Sequence, residues 1–209
     1  MTALLCGAAG LLLGASAGAG IRLLLAGLRR GAVIRPGPIE VACALLTATA
    51  AAATWDSAPL AAAIWITVFG VAASAVDIRH HRLPDALTVP GLVVTLAVLA
   101  ATEWAAPATG GLIRSAEAAA VVAALFAVPA VLSPSAMGWG DVKLAASLGA
   151  VTGYLSWEAA VLGVCAGFGL AAVAALAGVA MGRWTTRSPV PLGPFLVAGT
   201  WAVLLLTPV

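Results

Sequence analysis

Residues 58–85 read APLAAAIWITVFGVAASAVDIRHHRLPD. The run 58–76 carries no charge and stops at Asp77, with Arg79, His80, His81, Arg82 and Asp85 close behind. A helix crosses a bilayer with about 20 mostly apolar residues, within a range of about 17–25. The run therefore predicts a membrane-spanning helix that ends at a charged interface. Working outward in both directions, the same pattern gives segments at roughly 3–28, 38–55, 58–76, 85–102, 114–132, 141–154, 156–181 and 190–208. The expected fold is all-α: a polytopic membrane protein with about eight transmembrane helices, six to eight in range, forming one domain over 1–209. The sixth segment is short, which fits less tilt or a position surrounded by protein instead of lipid.

Composition agrees with that reading. The chain is 63% hydrophobic and 9% charged, against about 45–50% and about 25% in soluble domains. The net charge of +2 and the lack of a basic run argue against a nucleic-acid partner; the expected partner surface is the lipid bilayer. Cys6, Cys43 and Cys165 are scattered through apolar runs with no CxxC pair, so they read as small packing residues. The apolar start has no basic region before it and is long, which makes a cleaved signal peptide the weaker reading. Small residues let membrane helices approach closely, and Gly7, Gly10, Gly14 and Gly18, and again Gly163 and Gly167, have that spacing. The connections are short. Asp56-Ser57-Ala58-Pro59 and the stretch from Pro107 to Gly111 form turns, and Ser133-Pro134-Ser135 interrupts the chain before Gly138.

Charge asymmetry sets an expected orientation. Arg29, Arg30, Arg35, Arg79, Arg82, Lys143, Arg183 and Arg187 fall on one side, eight of the ten basic residues. Arg22 lies about two turns from that edge. The other side holds Asp56, Glu103, Glu158 and one exception, Arg114. Both termini are expected outside and the basic face in the cytoplasm. Trp55, Trp104 and Trp157 would lie at outer edges and Trp184 at an inner one.

Two acids then share the cytoplasmic edge. Asp77 closes the third run, and Asp141 opens the sixth in Met137-Gly138-Trp139-Gly140-Asp141-Val142-Lys143-Leu144. Each could be a solvated cap or an ion partner of Arg79, Arg82 or Lys143. Together they could also form a dyad, because two close carboxylates cannot both ionise and so share a proton. One would take a proton from water while the other polarises a carbonyl, and no serine or cysteine is needed. Gly138 and Gly140 permit close backbone approach, which would let a substrate strand lie there. A plain helix start with Asp141 as N-cap is the blander alternative.

Asp77 with the following Arg-His-His-Arg-Leu-Pro-Asp, then Gly-Trp-Gly-Asp-Val-Lys-Leu, resembles the two catalytic motifs of bacterial prepilin peptidases, the second being their GxGD signature. Arg35-Pro36-Gly37-Pro38-Ile39-Glu40 and Pro191-Leu192-Gly193-Pro194-Phe195 resemble further segments of the family, so the likeness spans about 1–209. The resemblance implies an aspartyl endopeptidase of the bacterial inner membrane. It would cut the short basic leader from pilin-like precursors at the cytoplasmic face, after a glycine and before the precursor's apolar helix. Asp77 and Asp141 would be catalytic, with Gly138, Gly140, Lys143, Glu40 and Pro84 in support. Glu40 could serve the site or hold Arg79 or Lys143. Arg79 and Arg82 read as lipid-headgroup contacts. No cofactor is expected. No metal is expected either, since the adjacent His80 and His81 lack further ligands. The loop from Arg29 to Pro38 has none of the cysteines of the insert associated with methylation in longer members, which points to a peptidase-only form. Two rival readings remain. A protease of the presenilin or signal-peptide-peptidase type would need its first aspartate deeper than Arg79 allows. A non-catalytic transporter or assembly factor would need more mid-membrane polar groups than Arg22 and Glu117 add.

Overall fold

The computed structural model describes residues 2–27, 34–55, 60–105, 111–133, 137–185 and 188–207. Among them are eight α-helices: α1 (Thr2–Gly27), α2 (Pro38–Ala53), α3 (Leu60–His80), α4 (Asp85–Ala105), α5 (Gly111–Leu132), α6 (Trp139–Leu155), α7 (Trp157–Ala180) and α8 (Gly193–Leu206). Arg29, Arg30, Asp56 and Arg187 lie outside the described residues, as do the turns expected at 56–59, 107–110 and 134–135. Five helices (α1, α3, α4, α5 and α7) are long and apolar enough to cross a membrane, and α2 and α8 are shorter apolar helices. The outer surface is equally apolar, with Leu12, Leu132 and Val173 standing well exposed. The chain is a multi-pass membrane protein.

The sixth helix is the axis of the bundle. All residues from Leu144 to Tyr154 are buried, and α6 packs against α3, α4, α5, α7 and α8. It is short because protein surrounds it, the second of the two expectations. Two pairs of helices are packed closely: α7 and α8 against α6, and α1 and α2 against α3. In α1 and α2 the spacing of Gly10, Gly14 and Gly18 brings the backbones together, so that a β-carbon on Gly14 or Gly18 would lie 2.7 Å from the α-carbon of Ala44 or Glu40. In α7 and α8 a β-carbon on Gly167 would lie 2.9 Å from the Leu196 α-carbon. Without hydrophobic drive between helices in lipid, such close packing supplies their association. Cys6, Cys43 and Cys165 are free thiols, with only Cys43 buried.

Several helix ends differ from the sequence expectation, and two extend because a charged residue just past the expected end, Asp77 or Glu103, is helical where it has a partner. The third helix runs beyond residue 76 to His80 and carries Asp77 inside it. The fourth runs past 102 and includes Glu103, whose Oε2 accepts the Tyr154 hydroxyl at 3.0 Å. The fifth starts at Gly111, before Arg114.

Arg114, the exception to the charge asymmetry, has a structural task. Its Nε donates to the Gly153 carbonyl at 2.7 Å, and its Nη2 to the carbonyls of Tyr154 and Leu155 at 2.6 and 2.9 Å. The last carbonyls of a helix have no partner within it, and a cation there also meets the negative end of the helix dipole. Arg114 thus closes the far end of α6. Replacing Arg114 by alanine is expected to destabilise the bundle by about 2 kcal/mol, the scale of hydrogen bonds to a charged group. Arg114→Lys, with one ammonium for three carbonyls, should recover only part of it. Thermal unfolding in detergent measures both.

Candidate active site

The site assembles at one end of the bundle, where α3 ends and α4, α6 and α8 begin. Asp77 lies in the last turn of α3 and is 3% exposed. Its carbonyl accepts the His81 amide at 2.8 Å. The helix stops there because His81 takes φ +47°, a left-handed conformation that cannot continue a right-handed helix. From His81 the chain crosses as a short strap to Pro84. The Pro84 carbonyl accepts the amides of Leu87 and Thr88 at 3.0 and 3.1 Å and so launches α4. Pro84 thus marks the point where this strap meets α4. Leu83, just before it, is buried.

Asp141 stands in the first turn of α6. Gly138 is the N-cap, and its amide donates to Asp141 Oδ2 at 3.2 Å. Asp141 is therefore not the cap, as one reading had it, but the third residue of the helix, reaching back to the cap. This satisfies an amide that the helix start leaves open and fixes the carboxyl's orientation. Lys143 Nζ lies 2.5 Å from Asp85 Oδ1, joining α6 to the start of α4.

The two segments meet at Gly140. A β-carbon there would fall 2.5 Å from the Leu83 carbonyl oxygen and 2.7 Å from its Cβ. The backbone that needs this glycine is the protein's own strap, which corrects the expectation of a substrate strand lying on it. Gly138 is different: it is exposed, has φ −86° and ψ 149°, and a β-carbon there would meet only Asp141 Oδ2 at 3.4 Å and the Gly140 nitrogen at 3.9 Å, ordinary contact distances. The Leu83–Gly140 contact brings the end of α3 to the start of α6. Asp141 lies within electrostatic range of Asp77 there, as does His81.

A third element completes the arrangement. The amide of Gly193, first residue of α8, donates to Asp77 Oδ2 at 2.8 Å. A β-carbon on Gly193 would sit 2.9 Å from that oxygen. Gly193 was visible in sequence only as part of the Pro191–Phe195 segment, without a role; a glycine opening a helix beside prolines is the signal that marks it. The remaining candidate, Glu40, does not hold Arg79 or Lys143. It pairs with Arg22 Nε at 2.6 Å and accepts the Gly37 amide at 2.8 Å. Gly37 has φ +115°, a conformation open to glycine, so the Arg35–Glu40 segment is a helix-start device on α2. Among the described residues no three His, Cys, Asp or Glu side chains gather to hold a metal.

Two carboxyls brought close together, each oriented by a backbone amide at a helix start, can share one proton and activate water against a carbonyl. The family model described as the type IV leader peptidase family matches residues 64–182, which include both aspartates. A prepilin leader peptidase/N-methyltransferase of Burkholderia pseudomallei is 34% identical over 172 residues, covering 79% of this chain and 53% of that protein. Proteins of the same name from Stutzerimonas stutzeri and Aeromonas salmonicida are 31% and 27% identical, each over 80% of this chain and 57% and 56% of their own length. The chain thus spans about half the length of the curated relatives it matches. No solved structure matches.

The Leu83–Gly140 contact makes a sharp contrast testable. Gly140→Ala should cost about 1–3 kcal/mol of stability, the range for overpacking. Gly138→Ala, at an exposed position, should stay within about 0.5 kcal/mol. Denaturant or thermal unfolding of the two variants side by side checks the difference.

Proposed function

The chain belongs to the type IV leader peptidase family, and on that premise we propose that it is an aspartyl endopeptidase that cuts the short basic leader from pilin-like precursors. Asp77 and Asp141 are its catalytic pair. The observation that carries the reading is the convergence of these two acids, from segments more than sixty residues apart in sequence, onto one end of the bundle with an electrostatic interaction between them.

The chemistry follows from the pair. The ionised carboxyl takes a proton from water, whose oxygen attacks the scissile carbonyl carbon. The protonated carboxyl donates to the carbonyl oxygen as it gains charge. The tetrahedral intermediate then collapses, and the amide nitrogen leaves with a proton returned from the dyad. Gly193 and Gly138 hold the two carboxyls in place through their amides. The strap from His81 to Pro84 and the Lys143–Asp85 pair hold the two segments together. The exposed backbone at Gly138 offers room for an extended substrate beside Asp141.

The reaction side is the cytoplasmic edge of a bacterial inner membrane. Arg35, Arg79, Arg82, Lys143 and Arg183 gather at the end of the bundle that carries the aspartates, which is the asymmetry of the positive-inside rule. A reporter fused after Val209 should then be extracytoplasmic and one inserted at Arg187 cytoplasmic; the opposite result reverses the placement. Cleavage without methylation is the expected activity, because the stretch between α1 and α2 has no cysteine and only about ten residues. A pocket for a cofactor-sized methyl donor needs about 300–1,000 Å³, which a loop of that length has no core to build. Incubation with precursor and labelled S-adenosylmethionine should give a product shortened by the leader but carrying no label.

The direct test is substitution of each acid. Asp77→Asn and Asp141→Asn preserve shape and remove proton exchange. Each should lower precursor cleavage by about 10²–10⁴-fold or more while membrane insertion is kept. Near wild-type cleavage by either variant would refute the assignment.

A further inference from the structure

A groove of about 650 Å³ opens between α2, α3 and α8. Its walls are apolar, with Ala42 from α2, Val71 and Ile78 from α3, and Pro194 and Ala198 from α8. Along α3 the lining residues Thr67, Val71, Ser74 and Ile78 recur at helical spacing. Successive residues turn by about 100°, so this stripe lies beside the stripe Ile66, Gly70, Ala73 and Asp77. From Thr67 to Ile78 it is about 16 Å long at 1.5 Å per residue.

The groove shares two walls with the candidate site. On α3 it ends at Ile78 and Arg79, the two residues after Asp77. On α8 it starts at Pro194, next to the Gly193 amide that holds the Asp77 carboxyl. Its volume would take about 20 waters at about 30 Å³ each, but the walls give water few partners. The Thr67 hydroxyl is already bonded to its own helix at the Ala63 carbonyl, 2.7 Å away. Apolar matter must fill such a space.

We propose that this groove seats the apolar helix of the precursor, immediately beyond the bond to be cut. The proposal rests on the leader-peptidase reading. A substrate held at its scissile bond near Asp77 and followed by an apolar helix must continue into the membrane alongside the enzyme. The groove begins at that level and runs inward along α3. Ala42, Ser74 and Ala198 keep its floor low, which permits the close backbone approach that membrane helix pairs require. Arg79 stands at the mouth, where the chain leaves the apolar walls.

The test uses the whole protein in nanodiscs with a precursor that retains its apolar helix. Benzoylphenylalanine in place of Ala198, which is exposed in the groove, is combined with Asp141→Asn to hold the substrate uncut. On irradiation the expected adduct maps to the precursor's apolar helix. Adducts to lipid alone, while the wild type still cleaves the same precursor, overturn the groove and leave the peptidase reading standing. A wild type that does not cleave overturns that reading as well. Separately, Ala198→Phe should raise KM for the precursor about tenfold, an overpacking effect on the seat, with kcat changed less. An unchanged KM in folded Ala198→Phe protein contradicts the proposal.

Discussion

The arrangement depends on a side chain that is absent. Gly140 lets the Leu83 backbone press against the first turn of α6, and everything at the candidate site follows from that approach. Asp77 precedes Leu83 by six residues and Asp141 follows Gly140 directly, so this contact draws the two acidic segments together. The strap has little freedom of its own. His81 ends α3 in a left-handed conformation and Pro84 starts α4 with its carbonyl. A helix end, four residues of strap and a glycine thus carry the work that longer loops do in soluble enzymes.

The rest of the molecule keeps α6 still. A helix buried along its whole inner length, with its last carbonyls closed by Arg114, presents Asp141 from a rigid base. In lipid an unmet polar group costs several kcal/mol, and three of the basic residues among the described ones are accordingly met. Arg22 meets Glu40, Lys143 meets Asp85 and Arg114 meets backbone. None of these pairs engages Asp77 or Asp141, which interact with backbone amides and with each other.

The fold was legible because one signal dominates it: apolar runs of bilayer length separated by charge. Helix boundaries were less so, since counting charge as loop fails where a partner satisfies it, as for Glu103 and Asp77. The two aspartates stood out because charged residues beside long apolar runs are few. Their supporting partners did not, because partner choice depends on how the helices turn about their axes. Glu40 lies near the right edge in sequence yet pairs with Arg22 across α1 and α2. Gly193 is distant in sequence and supplies a hydrogen bond to Asp77, a backbone donation that no side-chain pattern records.

The central claim is that Asp77 and Asp141 act as one unit that shares a proton. The most direct measurement is kcat/KM for precursor cleavage as a function of pH, with purified protein in nanodiscs. A shared-proton dyad is active when one carboxyl is protonated and the other ionised, so the account predicts a bell-shaped profile whose two limbs belong to the pair jointly. A profile that rises through a single ionisation and stays level, or that does not vary with pH, would contradict it.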